Sequence, residues 1–510
     1  MSLSGVDRIC VIIGRTRHKM VQVELDEAVK RGAKFIELRL DFLAKAIDFT
    51  RLLPNRKCPW VATLRRREDG GRWSGTELER KTIIRQAIVA GFDWIDLETD
   101  IANEIPRFRD VKRIISYHNL NETPHDLEAI YERMCQQDAD VLKLAVTAQS
   151  HADNIRLLKV IQGAKKPTVG HCMGEIGFPS RLLSLKFGSP FVYAAFNKER
   201  GIAPGLPSMD ELRRHYNIER INAETRVYGL IGDPVGHSYS PLLHNAVYRL
   251  TGVNAVYLPF RIPRGELQNA LQSYETIPVE GYSVTIPHKE GAAALAKVGD
   301  ANVRQTGAAN TLVRKDGVFH AWNTDYDAAL ECLKIHNPLS EDGTIRTLEM
   351  CKALVLGAGG AARTIAHALK KAGAEVVVSS RTVDRAKALA DEVGGKVFEW
   401  EGRHTIDCEV VVNCTPIGMH PNVDESPIHK GFLKPGMMVF DTVYNPESTL
   451  LVKDARARGC VVITGVEMFV RQASLQFQLF TGKPAAVDVM REEMRKALSP
   501  VTLRTESQDE

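Results

Sequence analysis

The nine cysteines of this chain contain no C-x-x-C pair and no paired spacing. That argues against a disulfide framework and a thiolate zinc site, and suits a reducing compartment. No metal is expected. No apolar run reaches membrane-spanning length, so no membrane partner is expected either. No repeat of solenoid period recurs. Surplus charge is small, with 67 Lys and Arg against 63 Asp and Glu. A net +4 does not point to nucleic acid. An apolar strand starts at Ile9, which leaves little room for a targeting peptide. The expected location is cytoplasmic, with a processed organellar form left open. Oligomeric state is not legible. What remains is an ordinary globular composition on 510 residues, too long for one core.

The most legible stretch is Lys352 to Thr382, KALVLGAGGAARTIAHALKKAGAEVVVSSRT. An apolar strand, a glycine turn, an amphipathic helix and a second apolar strand follow in order. Gly357, Gly359 and Ala362 hold the three positions of the G-x-G-x-x-G/A fingerprint, with Gly360 and Ala361 between them. The first permits the tight turn, the second lets a pyrophosphate approach, and the third keeps helix and strand close. The helix N-terminus then offers free N–H groups to the phosphates. An acid at the end of the second strand would bind a ribose 2′-hydroxyl. This chain has Ser379, Ser380, Arg381 and Thr382 there, with Arg385 one turn on. Two guanidinium groups suit a 2′-phosphate, so the expected cofactor is NADP(H) rather than NAD.

The first 220 residues alternate short apolar runs with helical segments. The runs begin at Ile9, Lys34, Trp60, Asp93, Lys112, Asp140, Pro167 and Phe191. Eight such βα units predict a closed (β/α)8 barrel. Polar residues inside barrel strands then need a reason. Alternation puts Glu37 and Arg39 on one face, toward the mouth. Lys143 lies between Leu142 and Leu144, with no acid in its own strand. Burial among apolar neighbours would lower its pKa and make the amine nucleophilic, as Schiff-base chemistry requires. His118 ends the preceding strand, within reach as a general base. Arg65 could clamp a carboxylate.

The segments ELRLD, TLRRREDGG, SYHNLNETP and DVLKLAV resemble those of the type I 3-dehydroquinate dehydratases, from about Val6 to His215. The resemblance implies that Lys143 forms an imine with the substrate ketone. It implies that His118 takes the adjacent proton and then assists loss of water. Glu37, Arg39 and Arg65 match substrate-contacting positions, and Asp69 the acid that orients the histidine. Arg181 matches the arginine over the mouth. Where that family carries Ser before A-P-G and Gln after it, this chain has Ile202 and Leu206.

A short polar connection, with a boundary near Asn222, leads to a new α/β pattern. Ser238 and Ser240 sit at a helix start, Thr285 and Lys289 at a turn, then Asn310 and Asp325. Singly each is turn or cap chemistry. Together they form a polar set able to hold a polyhydroxylated ring. These strings are similar to shikimate dehydrogenases, from Val227 to about Ala497. The resemblance implies that Ser238, Ser240, Thr285, Asn310, Asp325, Tyr444 and Gln472 contact shikimate. Lys289, paired with Asp325, would handle the proton on the reacting oxygen. Gly465 and Met468 would lie near the nicotinamide, and Asn413 and Thr415 at the cofactor. The expected fold is thus an α/β chain, a barrel followed by a two-subdomain dehydrogenase with a Rossmann domain. Residues 1–222 would be the barrel, 223–330 the substrate-binding domain (completed by about 475–500), and 331–474 the Rossmann domain.

Joined, the two resemblances imply consecutive steps of the shikimate pathway. 3-Dehydroquinate would be dehydrated to 3-dehydroshikimate, and that reduced to shikimate with NADPH. Small-molecule substrates are the only partners expected. The alternatives are a second half that prefers quinate, or a metabolite-sensing relic. A relic should lose its chemical residues first, yet Lys143, His118, Lys289 and Asp325 all stand.

Overall fold

A computed structural model describes residues 6–54, 56–197, 205–236, 238–340 and 343–499. The chain forms two compact units, residues 1–236 with 248–279, and residues 237–247 with 280–510.

In the first unit all eight expected strands form. They are β1 (Ile9–Ile13), β2 (Ile36–Arg39), β3 (Trp60–Thr63), β4 (Trp94–Glu98), β5 (Lys112–His118), β6 (Val141–Thr147), β7 (Thr168–Met173) and β8 (Val192–Ala195). They lie parallel in the order β7-β6-β5-β4-β3-β2-β1-β8. Among the described residues β7 and β8 share no ladder, so the barrel is nearly closed, with one seam. There the Ser189 hydroxyl donates to the Thr168 carbonyl at 2.9 Å. Every residue of β1 to β4 is buried, because helices cover one face and the barrel interior the other.

The interior has two levels. Its floor is aromatic. Phe35 meets Trp94 at 5.8 Å and Phe191 at 5.2 Å, both edge-on, and Phe191 meets Tyr193. Above that floor the inward residues are charged. The unit also contains β9 (Arg226–Gly232) paired in parallel with β10 (Ala255–Arg261), and the helix Leu267–Ser273.

The second unit carries β11 (Val279–Val284), β12 (Val298–Gly299), β13 (Thr311–Lys315) and β14 (Val318–Trp322). Here β13 runs antiparallel to β11 and β14. Its other sheet is parallel throughout. It holds β15 (Lys352–Leu356), β16 (Glu375–Ser379), β17 (Lys396–Phe398), β18 (Val410–Asn413), β19 (Met438–Asp441) and β20 (Val461–Ile463). The order is β17-β16-β15-β18-β19-β20. Strand order reverses at β15, and ligands bind beyond strand ends at such a switch point. The glycine turn follows β15 directly.

Arg80 shows what charge inside this fold demands. It is fully buried, and its guanidinium reaches Glu98 at 2.7 Å, the Leu64 carbonyl at 2.9 Å and Glu77 at 2.6 Å. Arg80→Met should cost about 3 kcal/mol, because it strips a buried carboxylate of one partner. Chemical denaturation would read this as a lower midpoint. A loss below about 1 kcal/mol would mean that Arg65 alone holds Glu98.

Candidate active sites

The barrel mouth encloses a pocket of about 430 Å³, lined by Glu37, Arg39, Arg65, Asp69, His118, Lys143, His171, Met173, Arg181, Tyr193 and Leu206 among others. Each of the dehydratase-type residues expected from sequence is therefore in one place. Strand ends bring them there from β2, β5 and β6, and from the segments following β3 and β7.

The surroundings of Lys143 correct one expectation. The amine is not set among apolar groups. Its Nζ lies 3.1 Å from Asp96 and 4.0 Å from Glu37, and 4.2 Å from the centre of the Tyr193 ring. Alternation hid this, because the acids come from β2 and β4, far away in sequence. Asp96 also forms an ion pair with Arg65 at 2.7 Å and accepts from the Ser116 hydroxyl at 2.6 Å. Burial alone would raise its pKa, but Arg65 and Lys143 outweigh that and hold it well below the carboxylate range. Arg65 is spanned by Asp96 and Glu98, so it is already clamped.

His118 is held well below the usual imidazole value, first by burial and then by Arg65 and Lys143. It is therefore neutral and able to accept a proton. Its Nδ1 has no partner among the described residues. Asp69 shares no hydrogen bond with His118 among the described residues. The Asp69 carboxylate is 2.7 Å from Arg66 Nε, on the adjoining turn. Glu37 Oε2 and the Tyr193 hydroxyl are likewise buried without a hydrogen-bond partner among the described residues. These open polar atoms fit a hydroxylated ligand. Arg181 is buried, which pushes its guanidinium down to about 10. Leu206 lines the pocket as an apolar wall, and Ile202 lies outside the described residues.

Asp96, Glu98, Ser116, His171 and Tyr193 were not expected at the site. The signal for the first two was present, since DWIDLE puts two acids on one strand face.

In the second unit Lys289 Nζ lies 2.6 Å from Asp325, with the pair only partly exposed. Lys289 opens the helix Lys289–Leu295, and Asp325 sits in the first turn of Thr324–Ile335. The Ser238 hydroxyl donates to Ser240 Oγ at 3.2 Å. Thr285 stays half-buried at the end of β11. Tyr444 stacks on Phe469 at 4.8 Å and meets Tyr239 edge-on. Other expected contacts are occupied internally. Asn310 donates to Thr324 Oγ1 and accepts from the Thr324 amide. Gln472 donates to the Phe469 carbonyl. Asn413 donates to Asp441 and accepts from the Thr415 amide and hydroxyl, so it shapes its loop.

The glycine turn fits a dinucleotide. Gly357 has φ +106°, and a Cβ there would lie 3.0 Å from the Cys414 carbonyl oxygen. At Gly359 and Gly360 a Cβ would meet nothing within 4 Å, so the backbone lies open to a ligand. Ala361 follows in the first helical turn, and Ala362 packs fully buried against the sheet. Arg381, Thr382 and Arg385 are exposed, with Ser380 half-buried beside them. Gly465 begins the helix Gly465–Thr481, where a Cβ would fall 2.4 Å from the Val443 carbonyl oxygen. Met468 lies one turn on, buried.

Residues 9–223 match the family model of type I 3-dehydroquinase. Residues 230–312 match the shikimate dehydrogenase substrate-binding domain, 341–426 shikimate/quinate 5-dehydrogenase, and 465–495 the shikimate 5′-dehydrogenase C-terminal domain. A chloroplastic bifunctional 3-dehydroquinate dehydratase/shikimate dehydrogenase of Arabidopsis thaliana is 37% identical over 94% of this chain and 82% of its own length. The chain belongs to the bifunctional 3-dehydroquinate dehydratase/shikimate dehydrogenases. A shikimate biosynthesis protein AroDE of Chlamydia pneumoniae is 32% identical over 72% of this chain and 73% of its own. The dehydrogenase half alone is similar to an NADP-dependent shikimate dehydrogenase of Methanopyrus kandleri, 39% identical over 53% of this chain and 96% of that one. A shikimate dehydrogenase crystallised with NADP+ covers 55% of the chain at 32% identity, TM-score 0.50, with 97% of its own length aligned.

Two predictions follow from this geometry. His118 stays neutral as pH falls past its ordinary 6.5, and base capacity is lost only further down. The acid limb of kcat/KM for the dehydratase should thus lie below 6.5. A limb centred at or above 6.5 would remove His118 as the base. At the dinucleotide turn, Arg381→Asp should weaken NADPH far more than NADH, measured by KM for each. Equal weakening would mean that Arg381 does not read the 2′-phosphate.

Proposed function

We infer that the chain dehydrates 3-dehydroquinate in its barrel and reduces the resulting 3-dehydroshikimate to shikimate in its second half, with NADPH. The observation that carries the first reaction is a buried lysine in a charged barrel mouth, facing a neutral histidine. Lys143 Nζ attacks the ring ketone and forms an imine with loss of water. His118 removes the proton from the neighbouring carbon, and the electron pair is drawn into the imine. The protonated His118 then delivers that proton to the departing hydroxyl, and water hydrolyses the resulting conjugated imine, which frees 3-dehydroshikimate and restores the Lys143 amine. Asp96 holds Lys143 in line through the 3.1 Å contact. Glu37, Arg39 and Arg181 bind the substrate's oxygens, with Arg65 fixed behind them by Asp96 and Glu98.

In the second half Ser238, Ser240, Thr285, Asn310, Tyr444 and Gln472 surround the ring. Lys289 gives a proton to the developing alkoxide, and Asp325 fixes its ammonium at 2.6 Å. NADPH supplies the hydride. Gly357 to Ala362 would hold its pyrophosphate, and Ser380, Arg381, Thr382 and Arg385 its 2′-phosphate. Asn413 and Thr415 form the loop beside it, and Gly465 and Met468 flank the nicotinamide. Residues 1–222 constitute the dehydratase in this reading. Residues 223–330 with about 475–500 bind shikimate, and 331–474 bind the cofactor. A reducing, cytoplasm-like compartment belongs to the same reading, since all nine cysteines are unpaired.

The test separates the halves. Lys143→Ala should abolish consumption of 3-dehydroquinate and leave reduction of added 3-dehydroshikimate intact. Lys289→Ala should do the reverse, with 3-dehydroshikimate accumulating. Borohydride added with 3-dehydroquinate should trap substrate on Lys143, seen as a mass shift on its peptide. Normal dehydration by Lys143→Ala would sink the imine.

A further inference from the structure

The helix His151–Gln162, on the outside of the barrel, presents two polar residues that reach no catalytic group. His151 and Asn154 are both buried. They face Tyr274, from the segment after β10, which is itself buried. His151 Nδ1 lies 3.2 Å from the Tyr274 hydroxyl, and Nε2 lies 3.0 Å from the Arg261 carbonyl. Asn154 Nδ2 donates to the Tyr274 hydroxyl at 3.2 Å and to the Ile176 carbonyl at 2.8 Å.

These contacts assign every proton. A carbonyl only accepts, so Nε2 of His151 carries the hydrogen. Burial pushes the ring down to about 4, so it is neutral and Nδ1 accepts. The Tyr274 hydroxyl therefore donates to Nδ1 and accepts from Asn154. Asn154 spends both its N–H groups, one on each half of the chain. Its own Oδ1 is left buried without a partner among the described residues. Such an orphan is costly, and it marks a place where the grip outweighs satisfaction.

What Asn154 grips is the turn after β7. Met173 and Gly174 of that turn line the barrel pocket. Gly177 caps the helix Phe178–Lys186, and a Cβ there would fall 2.5 Å from the Cys172 and Met173 carbonyl oxygens. The turn thus has little slack. Arg181 projects from the first turn of the same helix into the pocket. A second tie reaches the turn from β10, where Arg261 pairs with Glu175 and with Asp233, each at 2.8 Å. That tie is exposed and weaker.

We propose that Tyr274, in the dehydrogenase half, is a positioning residue for the dehydratase, holding the 174–177 turn and hence Arg181 in place through Asn154. This rests on the reading of Arg181 as a substrate-binding group. It acts on binding rather than on the chemistry of Lys143 and His118.

The test uses the full chain. Tyr274→Phe keeps the ring, which packs edge-on against Phe260 at 5.0 Å, and removes the hydroxyl. KM for 3-dehydroquinate should rise about fivefold, with kcat unchanged within about twofold, as for loss of one buried hydrogen bond. Reduction of added 3-dehydroshikimate should not change. Asn154→Ala should raise the same KM, and adding Tyr274→Phe to it should do no more. Hydrogen exchange across residues 174–181 should quicken in both single variants. Unchanged KM in both variants, additive effects, or equal loss of both activities would overturn the proposal. Arg181→Ala is the control: if it leaves KM unaltered, the reading of Arg181 fails. Faster exchange of the turn in Tyr274→Phe would still support the latch.

Discussion

An ammonium cannot be buried in a barrel without counter-charge, and most of the mouth of this barrel follows from that. Lys143 needs Asp96, and Asp96 in turn is too negative a neighbour to stand without Arg65. Arg65 draws in Glu98, and Glu98 draws in Arg80 from the outer helix. The chain of charges ends only where Glu77 reaches solvent. Removing any inner member leaves a buried charge uncompensated, which is worse than never having built the pair. The network therefore holds geometry more than it adds stability. Its product is a lysine fixed in one position and a histidine kept neutral by burial and by the cations beside it.

The second half solves an easier electrostatic problem. Lys289 and Asp325 are partly exposed, and one carboxylate suffices. A proton donor can face water and be recharged from it. A nucleophile that forms a covalent bond gains more from a site that excludes water and fixes its partners. The difference in burial between the two lysines follows the difference between the roles proposed for them.

The barrel was legible because eight apolar runs alternate with helices, and a parallel strand buried on both faces must read that way. The glycine turn was legible because a tight turn and an open phosphate path both demand absent side chains. The charge network was not. Asp96 and Lys143 are 47 residues apart, and no local pattern reports which strand faces which. Lys143 thus read as an amine in an apolar setting, since its own strand holds only apolar neighbours. Asn413 and Asn310 read as ligand contacts, because a buried amide at a strand end suits either a ligand or its own loop. Their bonds to Asp441 and Thr324 reach other segments and are not visible in the local sequence.

The junction near Asn222 is short and polar, and the sequence places the boundary between the two halves there. The packing is otherwise. β9, β10 and the helix Leu267–Ser273 cluster with the barrel in one compact unit. The reason lies in what is buried there. His151, Asn154 and Tyr274 are polar groups withdrawn from water, and each makes a hydrogen bond across that contact. Separation would expose Phe260 and Tyr274 rings and break each of these bonds at once. A contact of that kind resists hinging more than apolar packing of equal area, because partial opening leaves buried donors and acceptors without partners before water can reach them. The boundary of a reaction and the boundary of a compact unit need not coincide, and here the first strands of the reductase cluster with the lyase barrel.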